Sequence, residues 1–172
     1  CVGDALGFPV EGQTPARCSG YVDQVLRGPE TGYLGVGPFP FGQYTDDSQL
    51  ARELLQSYIQ CDGFSPDDYA RRIAAIFRDG RIVGRGRATH QAAERLLAGA
   101  SWETSGTPAP SAGNGSAMRA APIGLMFWDD VEGLVQAACD QGRITHQDPR
   151  CCAGAVTIAG AVAQCLRSTS PD

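Results

Sequence analysis

Apolar residues recur at spacings of three and four along several separate segments, and this periodicity constrains the fold more than any other feature of the sequence. The clearest example lies within residues 46–60 and consists of Leu50, Ala51, Leu54, Leu55, Tyr58 and Ile59. This spacing puts the apolar side chains on one face of an α-helix, whereas a half-buried strand requires strict alternation. Because no segment alternates convincingly between turn residues, the sequence predicts an all-α fold.

Four further segments carry the same helical pattern. One begins at Ser65, a predicted N-cap that is followed by Pro66 in the first turn and by Asp68 three residues on. The apolar positions of the four segments are Tyr69, Ile73, Ile76 and Phe77; Ala92, Ala93, Leu96 and Leu97; Val131, Leu134, Val135 and Ala138; and Ala155, Ile158, Ala159, Val162 and Leu166. The small residues of the last segment predict close packing between helices.

Glycine and proline concentrate in three connections, at about residues 19–44, 80–87 and 103–116. The first connection is unusually long for a compact domain, and long loops of this kind often contribute to function. We therefore expect it to lie at the rim of a binding cleft.

Composition narrows the class of protein. The 172 residues, 42% of them hydrophobic, suffice for one domain with a core. All 14 basic residues are arginine and they are scattered, which predicts no nucleic-acid partner. No apolar run of 18 residues and no signal-peptide pattern occur, so we expect no membrane partner. The odd number of cysteines, seven, and the lack of a C-x-x-C pair favour reduced thiols and a cytoplasmic location.

Two carboxylates and a hydroxyl stand together where the helix of residues 46–60 begins, in the order Thr45, Asp46, Asp47. One interpretation is a plain helix start, with Asp46 as N-cap and Gln49 completing a capping box. The other is a half-site for a hard cation, since hydroxyl and carboxylate oxygens suit Mg²⁺ or Mn²⁺ and disfavour zinc. This segment alone leaves both interpretations open.

Three other segments carry polar residues in patterns that binding sites use. Glu11, at the end of Gly3–Glu11, is either a solvated residue at a helix end or a site carboxylate. In Gly113–Gly124, glycines flank small polar residues; such a loop either forms a turn before a buried helix or presents backbone N–H groups to a phosphate or sugar oxygen. It lacks the lysine of a P-loop. His146 is either structural or part of a site.

Taken together and in this order, four motifs resemble the ADP-ribosylglycohydrolase family. They are G-D-A-L-G-x-P-x-E from Gly3, Y-T-D-D-S from Tyr44, G-N-G-S-A-M-R-A-A-P-I-G from Gly113 and I-T-H-Q-D-P from Ile144. This family includes the dinitrogenase-reductase-activating glycohydrolase of bacteria and the animal ADP-ribosyl hydrolases. The resemblance extends from residue 3 to about residue 166, and four ordered motifs argue against a generic helical domain without a site.

The resemblance implies an all-α, ADP-ribosylglycohydrolase-like orthogonal helical bundle with two magnesium ions, or manganese, at the base of an ADP-ribose cleft. It implies that Thr45, Asp46 and Asp47 ligate the ions. It places Glu11 beside them as ligand or catalytic carboxylate, so that Glu11, Asp46 and Asp47 form the catalytic set. The implied substrate-binding residues are Asn114, Gly115, Ser116, Met118 and His146.

The implied reaction is metal-dependent hydrolysis of the glycosidic bond that joins ADP-ribose to a modified side chain, of the arginine or serine type, or to a small compound. The implied partner is therefore an ADP-ribosylated protein or a small ADP-ribosyl substrate, and members of the family are usually monomeric. The alternative is a non-enzymatic relative, either a binder of ADP-ribose or a structural protein, as the eye-lens crystallin relatives are.

The sequence departs from the family pattern in two places. The second metal-ligand cluster of the family, Asp-x-Asp-Thr before a late helix, follows the histidine motif in relatives, whereas this sequence reaches Asp172 without it. Many relatives also carry an aspartate near position 84, which is Gly84 here. We therefore expect residues 1–172 to form a single partial domain that is truncated at both ends. Cys1 is not a methionine, and no closing element follows the last helical segment, at residues 168–172. We expect that partial domain to be inactive alone, and its parent protein to be an active hydrolase.

Overall fold

The computed structural model describes residues 1–28 and 38–169, and within these ranges the chain is helical with no β-strand. Eight α-helices are present in the described residues. They are α1 (Val2–Gly7), α2 (Pro15–Tyr21), α3 (Asp46–Cys61), α4 (Pro66–Arg78), α5 (Arg87–Leu97), α6 (Ala121–Met126), α7 (Val131–Arg143) and α8 (Pro149–Thr169). The prediction of an all-α fold is confirmed.

All five helices that periodicity predicted are present as α3, α4, α5, α7 and α8. The Ser65 hydroxyl accepts a hydrogen bond from the Asp68 N–H at 3.2 Å, which confirms the predicted cap of α4. The prediction of a long connection at 19–44 is wrong for its first part, because these residues are helical. Helix α2 continues into a π-helical segment, Val22–Leu26. Residues 29–37 of that connection lie outside the described residues.

The core lies where α3, α4, α6, α7 and α8 meet. Its fully buried side chains include Leu50, Leu54, Tyr69, Ile73, Ile76, Ile123 and Ile144. The predicted stripe of α3 is therefore correct at Leu50 and Leu54 but wrong at Ile59, whose exposed fraction is 77%. Ile59 follows Leu54 by five residues, which places it about 140° around the helix from Leu54 and off the buried face.

Helix α8 packs against α6 and α7 through small residues, with Ala155, Ala159 and Ala163 buried. By length and composition alone, Pro149–Ser168 is also long and apolar enough to cross a membrane, with a mean hydropathy of 1.3. Only 22% of this span is buried inside the described structure. The absence of a membrane partner stays a prediction.

Two of the cysteines correct the expectation of reduced thiols. Cys139 on α7 and Cys152 on α8 form a disulfide, with their Cα atoms 4.7 Å apart. Neither residue belongs to a C-x-x-C pair, and they come together only because α7 and α8 pack side by side. The spacing of the cysteines along the sequence therefore does not predict this disulfide.

Close packing of α6 on α8 generates a testable prediction at Gly124. A Cβ at this position would collide with the Ala159 carbonyl oxygen and lie 2.8 Å from the Val162 Cβ. Gly124→Ala should therefore lower the free energy of unfolding by about 1–3 kcal/mol, as overpacking does. Gly160→Ala is the matched control, because a Cβ there meets nothing within 4 Å. The control should be neutral or stabilising by up to about 1 kcal/mol, since alanine favours a helix. Urea denaturation of both variants checks this, and equal effects would contradict the packing.

Candidate functional site

A cleft of about 470 Å³ opens beside the N-terminus of α3. The lining residues are Glu11, Asp46, Asp47, Gly84, Gly86, Arg87, Ala88, Thr89, Pro110, Ser111, Ala112, Gly113, Asn114, Gly115, Met118 and His146. Segments distant in sequence therefore contribute one acidic cluster, one arginine, one histidine and a glycine-rich loop to a single cavity. Of the nine residues that the sequence predicted for the site, all except Thr45 and Ser116 line it.

The start of α3 is held by a carboxylate from the first helix of the chain. Asp4 accepts hydrogen bonds from the Thr45 N–H at 3.0 Å and the Ser48 N–H at 3.1 Å. It also accepts one from the Thr45 hydroxyl at 2.8 Å. Burial raises the pKa of Asp4, but the hydrogen bonds from Ser48 and Thr45 outweigh burial and leave that pKa below its ordinary value. Asp4 is thus the capping group of α3.

This arrangement overturns the capping-box interpretation of Asp46 and Gln49. Thr45 occupies the N-cap position, and its side chain accepts no capping bond from the helix. The Gln49 side chain instead donates to the Arg81 carbonyl and accepts from the Val83 N–H, both at 2.8 Å. Asp46 and Asp47 are therefore not used to cap the helix, and both carboxylates line the cleft.

Burial and neighbouring negative charges raise the pKa values of Asp46 and Asp47. Burial, then the charges of Asp47 and Glu11, raise the pKa of Asp46 to about 6. Burial also raises the pKa of Asp47, with further contributions from the charges of Asp4 and Glu11. Carboxylates gathered at one place without a compensating cation destabilise the folded chain. The arrangement would be relieved by a bound cation.

The carboxylate oxygens of the cleft suit a hard cation, but the residues that supply them form only part of a metal site. Glu11, Asp46 and Asp47 supply carboxylate oxygens, the preferred ligands of Mg²⁺. In the described part of the chain, however, no three Asp, Glu, His or Cys residues are close enough to enclose an ion. The Thr45 hydroxyl is engaged by Asp4 and borders an adjoining cavity of about 360 Å³, which Glu11 and Asp47 also line.

The glycine-rich loop lies directly against His146. A Cβ on Gly113 would stand 3.2 Å from the imidazole Nε2, and a Cβ on Gly115 would stand 2.7 Å from its Cε1. Only glycine lets the loop approach the ring so closely. Ser116, predicted to bind substrate, is fully buried, and its hydroxyl donates to the Cys151 carbonyl at 2.8 Å. Ser116 therefore supports the loop from beneath, because the short turn Asn114–Ser116 directs its side chain towards α8.

His146 is fixed by both its backbone and its ring. The Thr107 N–H donates to the Thr145 carbonyl and the Gln147 N–H donates to the Thr107 carbonyl, both at 2.9 Å. The ring is 4% exposed, and its Nδ1 lies 2.8 Å from the Thr145 hydroxyl. Burial, and then the charge of Arg119, lower the pKa of His146 to about 4, so the imidazole is neutral at physiological pH.

Sequence reasoning missed three residues of this site. Asp4 lies inside the first motif but was given no role, because a helix cap from 41 residues away leaves no local pattern. Arg87 and Thr89 line the cleft from the start of α5. Both residues lie in the segment G-R-G-R-A-T at residues 84–89, and this glycine- and arginine-rich pattern is the sequence feature that could have indicated them.

Comparison with known proteins identifies the family of the chain and several relatives. The ADP-ribosylglycohydrolase family model matches residues 1–172. The chain therefore belongs to the ADP-ribosylglycohydrolase family. An uncharacterized protein of Archaeoglobus fulgidus is 31% identical over 165 residues, which is 94% of this chain and 52% of that protein. The ADP-ribosylarginine hydrolase Tri1 of Pseudomonas putida is 30% identical over 122 residues, or 66% of this chain and 33% of the hydrolase.

A solved structure supports the same fold. That of an ADP-ribosylglycohydrolase-related protein complex superposes with a TM-score of 0.71 at 31% identity. The match covers 96% of this chain and 53% of that one. The chain thus spans between a third and about half of the length of the proteins it resembles.

The raised pKa of Asp46 predicts that this residue costs stability. A folded-state pKa of about 6, above the ordinary 3.8, means that ionisation is harder in the folded chain. The penalty is therefore full above pH 6 and disappears as the pH falls towards 4. In EDTA at about pH 7.5, Asp46→Asn should raise the free energy of unfolding by about 1–2 kcal/mol, and the gain should shrink near pH 4.5.

Asp67→Asn is the control for this prediction. Asp67 also stands in the first turn of a helix, α4, but it is exposed. Its replacement should leave the stability unchanged or slightly lower, through loss of a favourable interaction with the helix dipole. Urea denaturation at both pH values measures the effects. If Asp46→Asn were no more stable than the parent at the higher pH, the account of the acidic cluster would be wrong.

Proposed function

We propose that this chain forms the nucleotide cleft of a metal-dependent ADP-ribosyl hydrolase, which cuts the glycosidic bond between ADP-ribose and a modified side chain. The observation that carries the proposal is the meeting, in one cleft, of three carboxylates with the glycine-rich loop and His146. Each part matches one requirement of the substrate: an anionic diphosphate, hydroxyl-bearing ribose rings, and an anomeric carbon at which positive charge develops.

The diphosphate and ribose belong, in this proposal, at Asn114, Gly115 and Met118. Backbone N–H groups of a glycine-rich loop are suited to phosphate oxygens because no side chain blocks their approach. Arg87 lines the same cleft and supplies a guanidinium, a good partner of phosphate. These residues make a site for the nucleotide end of the substrate.

Glu11, Asp46 and Asp47 are the residues we propose to hold magnesium, two ions in the complete centre, with manganese as an alternative and Thr45 beside them. Such ions, when bound, fix ribose hydroxyls and lower the pKa of a bound water. The carboxylates themselves stabilise the oxocarbenium character that develops as the glycosidic bond breaks. Glu11 borders both cavities, and its carboxylate is the group we propose to accept a proton.

Arginine is the acceptor that we propose to test first. The Pseudomonas putida relative is an ADP-ribosylarginine hydrolase. A serine-linked or small-molecule substrate is the second choice.

The central assay measures ADP-ribose release from arginine-ADP-ribosylated protein, with magnesium and with EDTA. We expect the gene product that contains this chain to release ADP-ribose only with magnesium, and the 172-residue chain alone to give no turnover. Asp47→Asn should lower the rate at least about 100-fold while the helical circular-dichroism signal is unchanged. Asp67→Asn on the exposed side of α4 should leave the rate intact.

Two results would oppose this function. Turnover that persists in EDTA and in Asp47→Asn would remove the metal and the carboxylate from the reaction. No release from arginine- or serine-linked substrates under any condition, with ADP-ribose still bound, would favour a binder without turnover. That second candidate is worth naming because the described residues enclose no complete metal site.

A separate prediction tests the nucleotide end of the cleft. Gly115→Ala should weaken ADP-ribose binding at least about tenfold, because the added Cβ would displace the His146 ring. Gly160→Ala is the matched control: Gly160 does not line the cleft, and a Cβ there meets nothing within 4 Å. Calorimetric titration with ADP-ribose measures both. Equal affinities of the two variants would show that the nucleotide binds elsewhere.

A further inference from the structure

Arg119 is a buried cation that has no anionic partner among residues 1–28 and 38–169. Its side chain is fully buried, and no carboxylate in the described part of the chain forms an ion pair with it. Its Nη1 also has no hydrogen-bond partner there, and its guanidinium carbon lies 5.6 Å from the centre of the Tyr69 ring. Burying an unpaired charge is costly, and a ring face offsets only part of that cost. A residue held in this way invites a functional explanation.

The other guanidinium nitrogens make three short hydrogen bonds. Nε donates to the Gln141 side-chain oxygen, and Nη2 donates to the Gln141 carbonyl and to the Thr145 hydroxyl oxygen, each at 2.8 Å. Arginine has donors only and keeps its proton at every accessible pH. The Thr145 oxygen is therefore an acceptor towards Arg119, and its own proton is left to donate elsewhere.

Two acceptors lie near that proton. The His146 Nδ1 is 2.8 Å from the Thr145 oxygen, whereas the Gly142 carbonyl is 3.5 Å away. Hydroxyl hydrogen bonds are strongest at about 2.7–2.8 Å, so the proton goes to the ring nitrogen. Since His146 is neutral, an accepting Nδ1 requires that Nε2 carry the single ring proton.

The protonated nitrogen lies against the glycine-rich loop that lines the cleft. Nε2 lies on the side of the glycine-rich loop, 3.2 Å from where a Gly113 Cβ would be, and it has no hydrogen-bond partner among the described residues. His146 lines the cleft together with Asn114 and Gly115. A donor without a protein partner at the wall of a binding cleft is suited to an oxygen of a ligand.

We propose that Arg119 is a positioning residue, which acts through the Thr145 hydroxyl to hold His146 as the tautomer whose Nε2–H donates to a phosphate or ribose oxygen of the bound nucleotide. The proposal rests on the function proposed above for its ligand, but the tautomer is a property of the free protein. Arg119 itself does not touch the nucleotide. Its role is to fix the direction of the Thr145 proton and, through its charge, to disfavour a second proton on the ring.

The tautomer is directly measurable, because the chain has two histidines. Two-bond ¹⁵N–¹H correlation spectra report which ring nitrogen is protonated, and the half-exposed His90 on α5 serves as an internal reference. The free protein at neutral pH should show His146 protonated only at Nε2, with a Thr145 hydroxyl proton protected from exchange. A proton on Nδ1 in the wild-type protein would overturn the proposal.

Thr145→Val and Thr145→Ser form the matched pair. Valine keeps the shape and removes the hydroxyl, so His146 should become a mixture of tautomers; serine keeps the hydroxyl and should restore the wild-type spectrum. Arg119→Lys keeps the charge but loses the fork of donors, and it should also give a mixture. An unchanged spectrum in Thr145→Val or in a folded Arg119→Lys would overturn the relay. If Arg119→Lys does not fold, the protected Thr145 proton of the wild-type protein decides the role of Arg119.

Affinity for ADP-ribose separates this proposal from the function. Thr145→Val should bind ADP-ribose at least about tenfold more weakly than wild type, and Thr145→Ser within about threefold of it. A changed tautomer with unchanged affinity would overturn the contact to the ligand. If the wild-type protein bound no ADP-ribose at all, the proposed function would fail, while the spectra would still decide whether Arg119 and Thr145 set the tautomer.

Discussion

The carboxylate of Asp4 at the N-terminus of α3 is the interaction on which the site depends. It accepts hydrogen bonds from the N–H groups of Thr45 and Ser48. The first N–H groups of a helix have no partner within the helix itself and therefore need one from elsewhere. Because Asp4 caps the helix from 41 residues away, Asp46 and Asp47 are not needed as caps and line the cleft instead. The dipole of α3 favours negative charge at this end, and so it offsets part of the repulsion between them.

The two sides of the cleft show opposite electrostatic designs. On the acidic side, neighbouring charges and burial push the pKa of Asp46 up to about 6, a state that a cation would relieve. On the loop side, burial and the charge of Arg119 push the pKa of His146 down to about 4 and keep the ring neutral. Perturbed groups that gather in one cleft are typical of functional sites, where local stability is given up for chemistry. The acidic residues and the glycine-rich loop thus line one cleft, and the buried Arg119 lies behind the loop side of it.

The longer helices and most residues of the cleft could be predicted from the sequence, and the features that could not be predicted have physical reasons. Helices with a long apolar stripe were predicted correctly, whereas α1, α2 and α6 are too short or too rich in glycine and proline to show a period. Motifs identified the lining residues, but not that the Ser116 hydroxyl turns into the core or that Cys139 meets Cys152. Those facts, like the cap from Asp4, depend on contacts between distant segments, which composition and spacing do not encode.

The central claim is that the acidic residues and the glycine-rich loop form a single site for a cation and a nucleotide. The most direct test is calorimetric titration of ADP-ribose in the presence and absence of Mg²⁺, and of Mg²⁺ in the presence and absence of ADP-ribose. The account predicts that each ligand raises the affinity for the other by the same factor, as linkage requires, and that Asp47→Asn abolishes the coupling. Two ligands that bind independently, or a coupling that survives Asp47→Asn, would contradict it.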